Sequence, residues 1–111
     1  LPVTATLSSL SGGQRQAVAL ARAIAQGGDM LVLDEPTAAM GVVERERIME
    51  ILRKLRDQGQ AILYISHDLD QVLDLADQVV VIRSGRTVAH MASSELDPLS
   101  LAGWISGAIG P

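Results

Sequence analysis

The sequence predicts an α/β fold: a mostly parallel sheet flanked by helices, with an antiparallel hairpin at its edge. Three observations carry this. Two short apolar runs, Met30-Leu31-Val32-Leu33 and Ala61-Ile62-Leu63-Tyr64-Ile65, are separated by a long segment of helical period. A helical segment also precedes the first run, and Ser84-Gly85 further on is a hairpin signal between two β-rich stretches. Strands alternating with helices of this length pair in parallel through crossovers.

Leu1 to Ser9 lacks periodicity and is expected as loop. From Ser11 or Gly12 to about Gln26, Ala17, Leu20, Ala21 and Ile24 recur at helical spacing, and Gly27-Gly28 closes the helix. Ser11 is placed to cap the start, with Gln14 reaching back in a capping box. Met30 to Leu33 is expected as a buried strand stopped by Pro36. A helix over Val42 to Asp57 follows, with Ile48, Ile51, Leu52 and Leu55 as its core stripe, and Gly59 ends it. The second buried strand, Ala61 to Ile65, runs into Ser66-His67-Asp68. A short helix from Leu69 to Leu75, capped by Asp68 or Asp70, leads to strands Val79 to Arg83 and Arg86 to His90. A last helix covers Pro98 to Ser106.

Composition narrows the function. The 111 residues contain 48% hydrophobic residues, enough for one core, and no cysteine, which fits a reducing compartment. The net charge is −4 and the nine basic residues are scattered, so no basic stripe for nucleic acid is visible. No apolar run approaches the ~18 residues of a membrane span, and no signal peptide is seen. The chain starts at Leu1 without an initiator Met, as expected of a piece or a processed product.

The chemistry-bearing residues fall at the ends of these elements. Gly12-Gly13 at a helix start lowers helix stability, but leaves the backbone bare for close approach. A helix N-terminus is an anion site that suits phosphate. Asp34 and Glu35 end a strand, where one carboxylate is suited to hold Mg²⁺ and the next to orient or deprotonate a water. His67 follows the second strand on the same rim, where a ring N–H can meet a phosphate oxygen. Each has a plainer alternative: an acidic pair capping a loop, a capping histidine, exposed helix residues at Gln14-Arg15-Gln16. Glu44-Arg45-Glu46-Arg47 reads as a solvated helix face. His90 reads as surface, the four methionines as core or rim filler, and Trp104 as packing.

Together, Leu10-Ser11-Gly12-Gly13-Gln14, Met30 to Glu35 and Ser66-His67-Asp68 resemble the signature motif, Walker B motif and switch-histidine loop of an ABC-type ATPase. The resemblance runs from about Leu7 to Val88 and matches in order and spacing. It implies the C-terminal part of a P-loop NTPase domain: signature motif and helix over 10–26, the Walker B to switch-histidine region and edge hairpin over 27–90, a tail helix over 91–111, and no Walker A half. By the same resemblance Ser11, Gly12, Gly13 and Gln14 would face ATP held by the opposite subunit, with Gln14 at the dimer interface. Asp34 would serve Mg²⁺, Glu35 would polarise the hydrolytic water, and His67 would sense the γ-phosphate.

Glu35-Pro36-Thr37-Ala38-Ala39-Met40-Gly41-Val42 and the Gly107-Ala108 ending are similar to ATP-binding subunits of bacterial carbohydrate importers. That implies an ATP-hydrolysing importer subunit for a sugar or similar solute. It would work as a homodimer with transmembrane permease subunits, indirectly with a solute-binding protein, and without nucleic acid. Its expected location is cytoplasmic, on the inner face of the cell membrane. Two features depart from the family. Gly41 stands where its loop commonly carries an Asp, and the one lysine, Lys54, lies mid-helix rather than in a Gly-rich phosphate loop. The family's adenine-stacking aromatic, which lies upstream of the signature motif, is also missing. The polypeptide alone is therefore expected to be inactive. The alternatives are a truncated or degenerate non-catalytic fragment, and a soluble ABC ATPase acting on nucleic acid or ribosomes.

Overall fold

A computed structural model describes residues 12–110. The expected loop at Leu1 to Ser9, the Ser11 cap and the backbone of Leu10 lie outside them. The chain divides into two compact units, one reaching to Ile65 and one starting at Ser66.

The first unit contains α1 (Gly12–Gln26), β1 (Met30–Asp34), α2 (Val42–Asp57) and β2 (Ala61–Ile65). Gly27, at φ +68°, donates its N–H to the carbonyl of Ile24 at 3.1 Å and turns the chain out of α1. β1 and β2 pair in parallel, with Met30 opposite Ala61 and Asp34 opposite Ile65. At their N-terminal ends the Gln60 side chain donates to the carbonyl of Gly28 at 3.2 Å. The core comprises Ala17, Leu20, Leu31, Leu33, Met40, Ile48, Met49 and Leu52.

Two expectations are corrected here. The strands are not buried throughout: Leu31 and Leu33 are, but Met30 and Val32 are 55% and 61% exposed, and Leu63 and Ile65 alternate in the same way. Side chains alternate across a strand, so one layer of packing covers only every second residue. On α2, Met49 rather than Ile51 joins the buried stripe, and Ile51 is 39% exposed. Met49 turns toward β2, where the Tyr64 hydroxyl meets its sulfur at 3.8 Å.

The second unit contains α3 (Leu69–Leu75), β3 (Gln78–Arg83), β4 (Arg86–Ala92), a single 3₁₀ turn (Ser93–Glu95) and α4 (Pro98–Ser106). Asp68 is the cap of α3, accepting from the Gln71 N–H at 3.2 Å. Ser84 and Gly85 both have positive φ, +53° and +75°, the backbone of a tight hairpin whose twist matches its strands. The hairpin is longer than expected at its open end, where Ser93 N–H donates to the Asp77 carbonyl at 3.0 Å. β3 and β4 pair as a two-stranded antiparallel sheet. Val79, Val81, Ala89 and Leu101 make the core, and Trp104 packs against it. α4 starts in a capping box between Asp97 and Ser100. That pairing lowers the Asp97 pKa below its ordinary value, chiefly through the Ser100 N–H.

Candidate functional site

The site is built around the chain reversal that leaves β1. Asp34 is the last residue of the strand, exposed, on the same face as Met30 and Val32. Glu35 then takes a left-handed backbone at φ +48°. For a residue with a Cβ this costs about 1–2 kcal/mol, so its neighbours must hold it. The Glu35 N–H donates to the Ile65 carbonyl at 2.7 Å, and its own carbonyl accepts from the Ala38 N–H at 3.3 Å. Met40 N–H donates to the Thr37 carbonyl at 3.1 Å, and both Thr37 and Met40 are buried. The strand therefore ends by the reversal at Glu35 itself, one residue before Pro36.

α1 touches this turn. The Gln16 side-chain oxygen accepts from the Ala39 N–H at 2.9 Å, and its nitrogen donates to the Glu35 carbonyl at 3.4 Å. Gln16 lies four residues after Gly12, on the same helix face one turn along. Among the described residues nothing lies within 4 Å of where a Cβ on Gly12 would sit. Gly13 lies within α1, and Gln14 is half-buried in its first turn. Ser11 is outside the described residues.

His67 belongs to the second unit, two residues past Ile65, and is exposed. It sits in a tight turn in which the Ser66 hydroxyl accepts from the Asp68 N–H at 2.9 Å. His90 is exposed on β4, as expected of a surface histidine. Asp34, Glu35 and α1 are thus tied together within the first unit. Gln16 is the residue that sequence reasoning missed. Its bonds span 19 and 23 positions, and only its helical spacing from Gly12 hinted that it shares a face with the helix start.

Two adjacent carboxylates suit a cation better than a bare phosphate. Among the described residues no group of three or more His, Cys, Asp or Glu could cage a metal. This donor set fits Mg²⁺, which commonly takes one or two carboxylates together with water and substrate phosphates. No helix among the described residues is long and apolar enough to cross a membrane.

The family model for ABC transporters matches residues 2–38, the stretch from before α1 to the turn after β1. The xylose/arabinose import ATP-binding protein XylG of Sulfolobus acidocaldarius is 42% identical over 89 residues, which is 80% of this chain and 36% of that protein. The molybdenum import ATP-binding protein ModC of Brucella abortus is 41% identical over 93 residues, covering 83% of this chain and 26% of ModC. A solved chain described as a metal-chelate type ABC transporter, in an inward-facing conformation, superposes with a TM-score of 0.76 at 25% identity. That superposition covers 91% of this chain and 40% of the solved one. The chain thus spans about a third of XylG and a quarter of ModC. By these matches the chain corresponds to part of an ABC transporter ATP-binding protein.

Proposed function

We propose that the native protein is an ATP-hydrolysing subunit of an importer, with a sugar or similar small solute as cargo. The observation that carries the reading is Glu35, held at the C-terminal rim of the parallel pair beside Asp34. The sugar assignment is supported by the name of XylG, and the name of ModC supports an oxyanion as the second reading.

In this mechanism Asp34 would hold Mg²⁺, which when bound would neutralise phosphate charge. Glu35 accepts a proton from the attacking water as its oxygen bonds to the γ-phosphorus. The bond from that phosphorus to the β–γ bridging oxygen breaks, and ADP and phosphate leave. His67 donates a hydrogen bond to the γ-phosphate. Ser11, Gly12 and Gly13 offer the start of α1 to the ATP of a second, identical subunit, with Gln14 at the interface. The pairing is isologous, so each subunit lends its helix to the other's nucleotide. Closing and opening of the pair would move permease subunits, placing the protein at the inner face of the membrane, with a solute-binding protein acting on the permease.

The test is Glu35→Gln in the native protein. The expected result is loss of ATP hydrolysis by roughly 10²–10⁴-fold, with ATP-bound dimers accumulating on size exclusion. Hydrolysis left unchanged by the substitution would overturn the catalytic reading of Glu35, and a wild type that hydrolyses no ATP would favour a degenerate, non-catalytic protein.

A further inference from the structure

We infer that Gln16 is a positioning residue for Glu35: its amide clamps the turn that holds Glu35 in its left-handed conformation and ties that turn to the helix starting at Gly12. The inference rests on the reading of Glu35 as the general base.

Glu35 occupies a backbone region that it does not favour, so its direction depends on what pins its two peptide groups. On the N-terminal side the Ile65 carbonyl at the end of β2 holds its N–H at 2.7 Å. On the C-terminal side its carbonyl receives the Ala38 N–H at 3.3 Å and the Gln16 amide nitrogen at 3.4 Å. Gln16 also holds the far end of the same turn, through Ala39 N–H at 2.9 Å. A single side chain thus grips residues 35 and 39 at once. An amide can do this because it carries a donor and an acceptor side by side.

The two bonds are unequal. The bond from Ala39 is short and anchors the turn, while the contact to the Glu35 carbonyl is long and sets its tilt. The Ala39 bond is exposed and the other part-buried, so water can replace much of what their removal takes away. The fold therefore tolerates losing Gln16 better than the chemistry does, since a base displaced by an ångström can lose about a hundredfold in rate. Gln16 also stands one turn from the start of α1. A shift of that helix start, where a phosphate would bind, reaches Glu35 through one side chain.

The experiment is a double-mutant cycle on the ATPase rate of the native protein, comparing wild type, Gln16→Met, Glu35→Gln and the double variant. Methionine keeps the length of Gln16 and removes both hydrogen bonds. Gln16→Met is expected to lower kcat about tenfold or more while KM for ATP stays within about twofold, the pattern of a transition-state effect. In the Glu35→Gln background the same change is expected to lower the residual rate no further, because the group being positioned is gone. A wild-type kcat in Gln16→Met, or an equal proportional loss in both backgrounds, overturns the inference. Should Gln16→Met not fold, Gln16→Glu decides: it keeps the acceptor for Ala39, loses the donor to Glu35, and is expected to lower kcat at unchanged KM. An inactive wild type would overturn the reading of Glu35 itself, and the inference with it. Active wild type with an unaffected Gln16 variant overturns the inference alone.

Discussion

The backbone N–H of Glu35 donates to the carbonyl of Ile65 at 2.7 Å, so the parallel pairing of β1 with β2 extends one residue beyond the strand while the chain turns into the left-handed region. The candidate base is thus fixed by the sheet on one side and by a turn on the other.

Stability and activity should separate at this position. Glu35→Gly removes a left-handed cost of about 1–2 kcal/mol and forfeits about 0.5–1 kcal/mol of chain entropy, so stability should hold or rise slightly. Glu35→Val puts a β-branched side chain into the same backbone and should lower stability by about 2 kcal/mol. Both should lose ATP hydrolysis. Chemical denaturation of the two variants checks this, and a Val variant as stable as the Gly variant would contradict the left-handed assignment.

Leu52 is fully buried on α2, while its neighbour Ile51 is 39% exposed. Leu52→Ala should cost about 2–5 kcal/mol through lost burial and the cavity left behind. Ile51→Ala should cost roughly 1 kcal/mol. Urea midpoints for the two variants give the ordering. Equal losses would return Ile51 to the core stripe that the sequence pattern suggested.

Asp97 supplies a pH dependence of known sign. Its folded pKa lies below the ordinary value of 3.8, chiefly because the Ser100 N–H binds the charged form. A depressed carboxylate contributes stability that is present above the unfolded pKa and lost as pH falls through the folded one. Acid unfolding of wild type should therefore include a component below about pH 4 that Asp97→Asn lacks. Circular dichroism against pH, with Asp97→Asn beside wild type, reads it directly. Identical acid limbs would remove Asp97 from the account.

ATP should bind weakly to the polypeptide of residues 1–111 by itself. Its single lysine, Lys54, sits on α2 and no Gly-rich loop accompanies it, so Asp34 and Glu35 meet a triphosphate with no phosphate cradle. Titration calorimetry is expected to give a Kd above about 1 mM. Micromolar binding would mean that these residues build a phosphate site of another kind.

The element plan was legible because its signals are local. Asp68 caps α3, Gly59 follows α2, and Ser84-Gly85 turns the hairpin. Each device acts within about four residues, a range over which a sequence pattern and its backbone outcome are tightly linked. The carboxylates at the end of β1 were legible for the same reason.

What the sequence by itself determined, then, is the order and bounds of α2, β2, α3 and α4, the α/β class, and Asp34 and Glu35 at a strand end. Tertiary structure alone decided which strand faces were covered, that Met49 and not Ile51 enters the core, that Glu35 turns left-handed, and that Gln16 reaches Ala39. The physical reason is range. Caps and turns are settled between near neighbours, whereas burial and the clamp on Glu35 depend on partners brought close only when the strands pair and the helices pack.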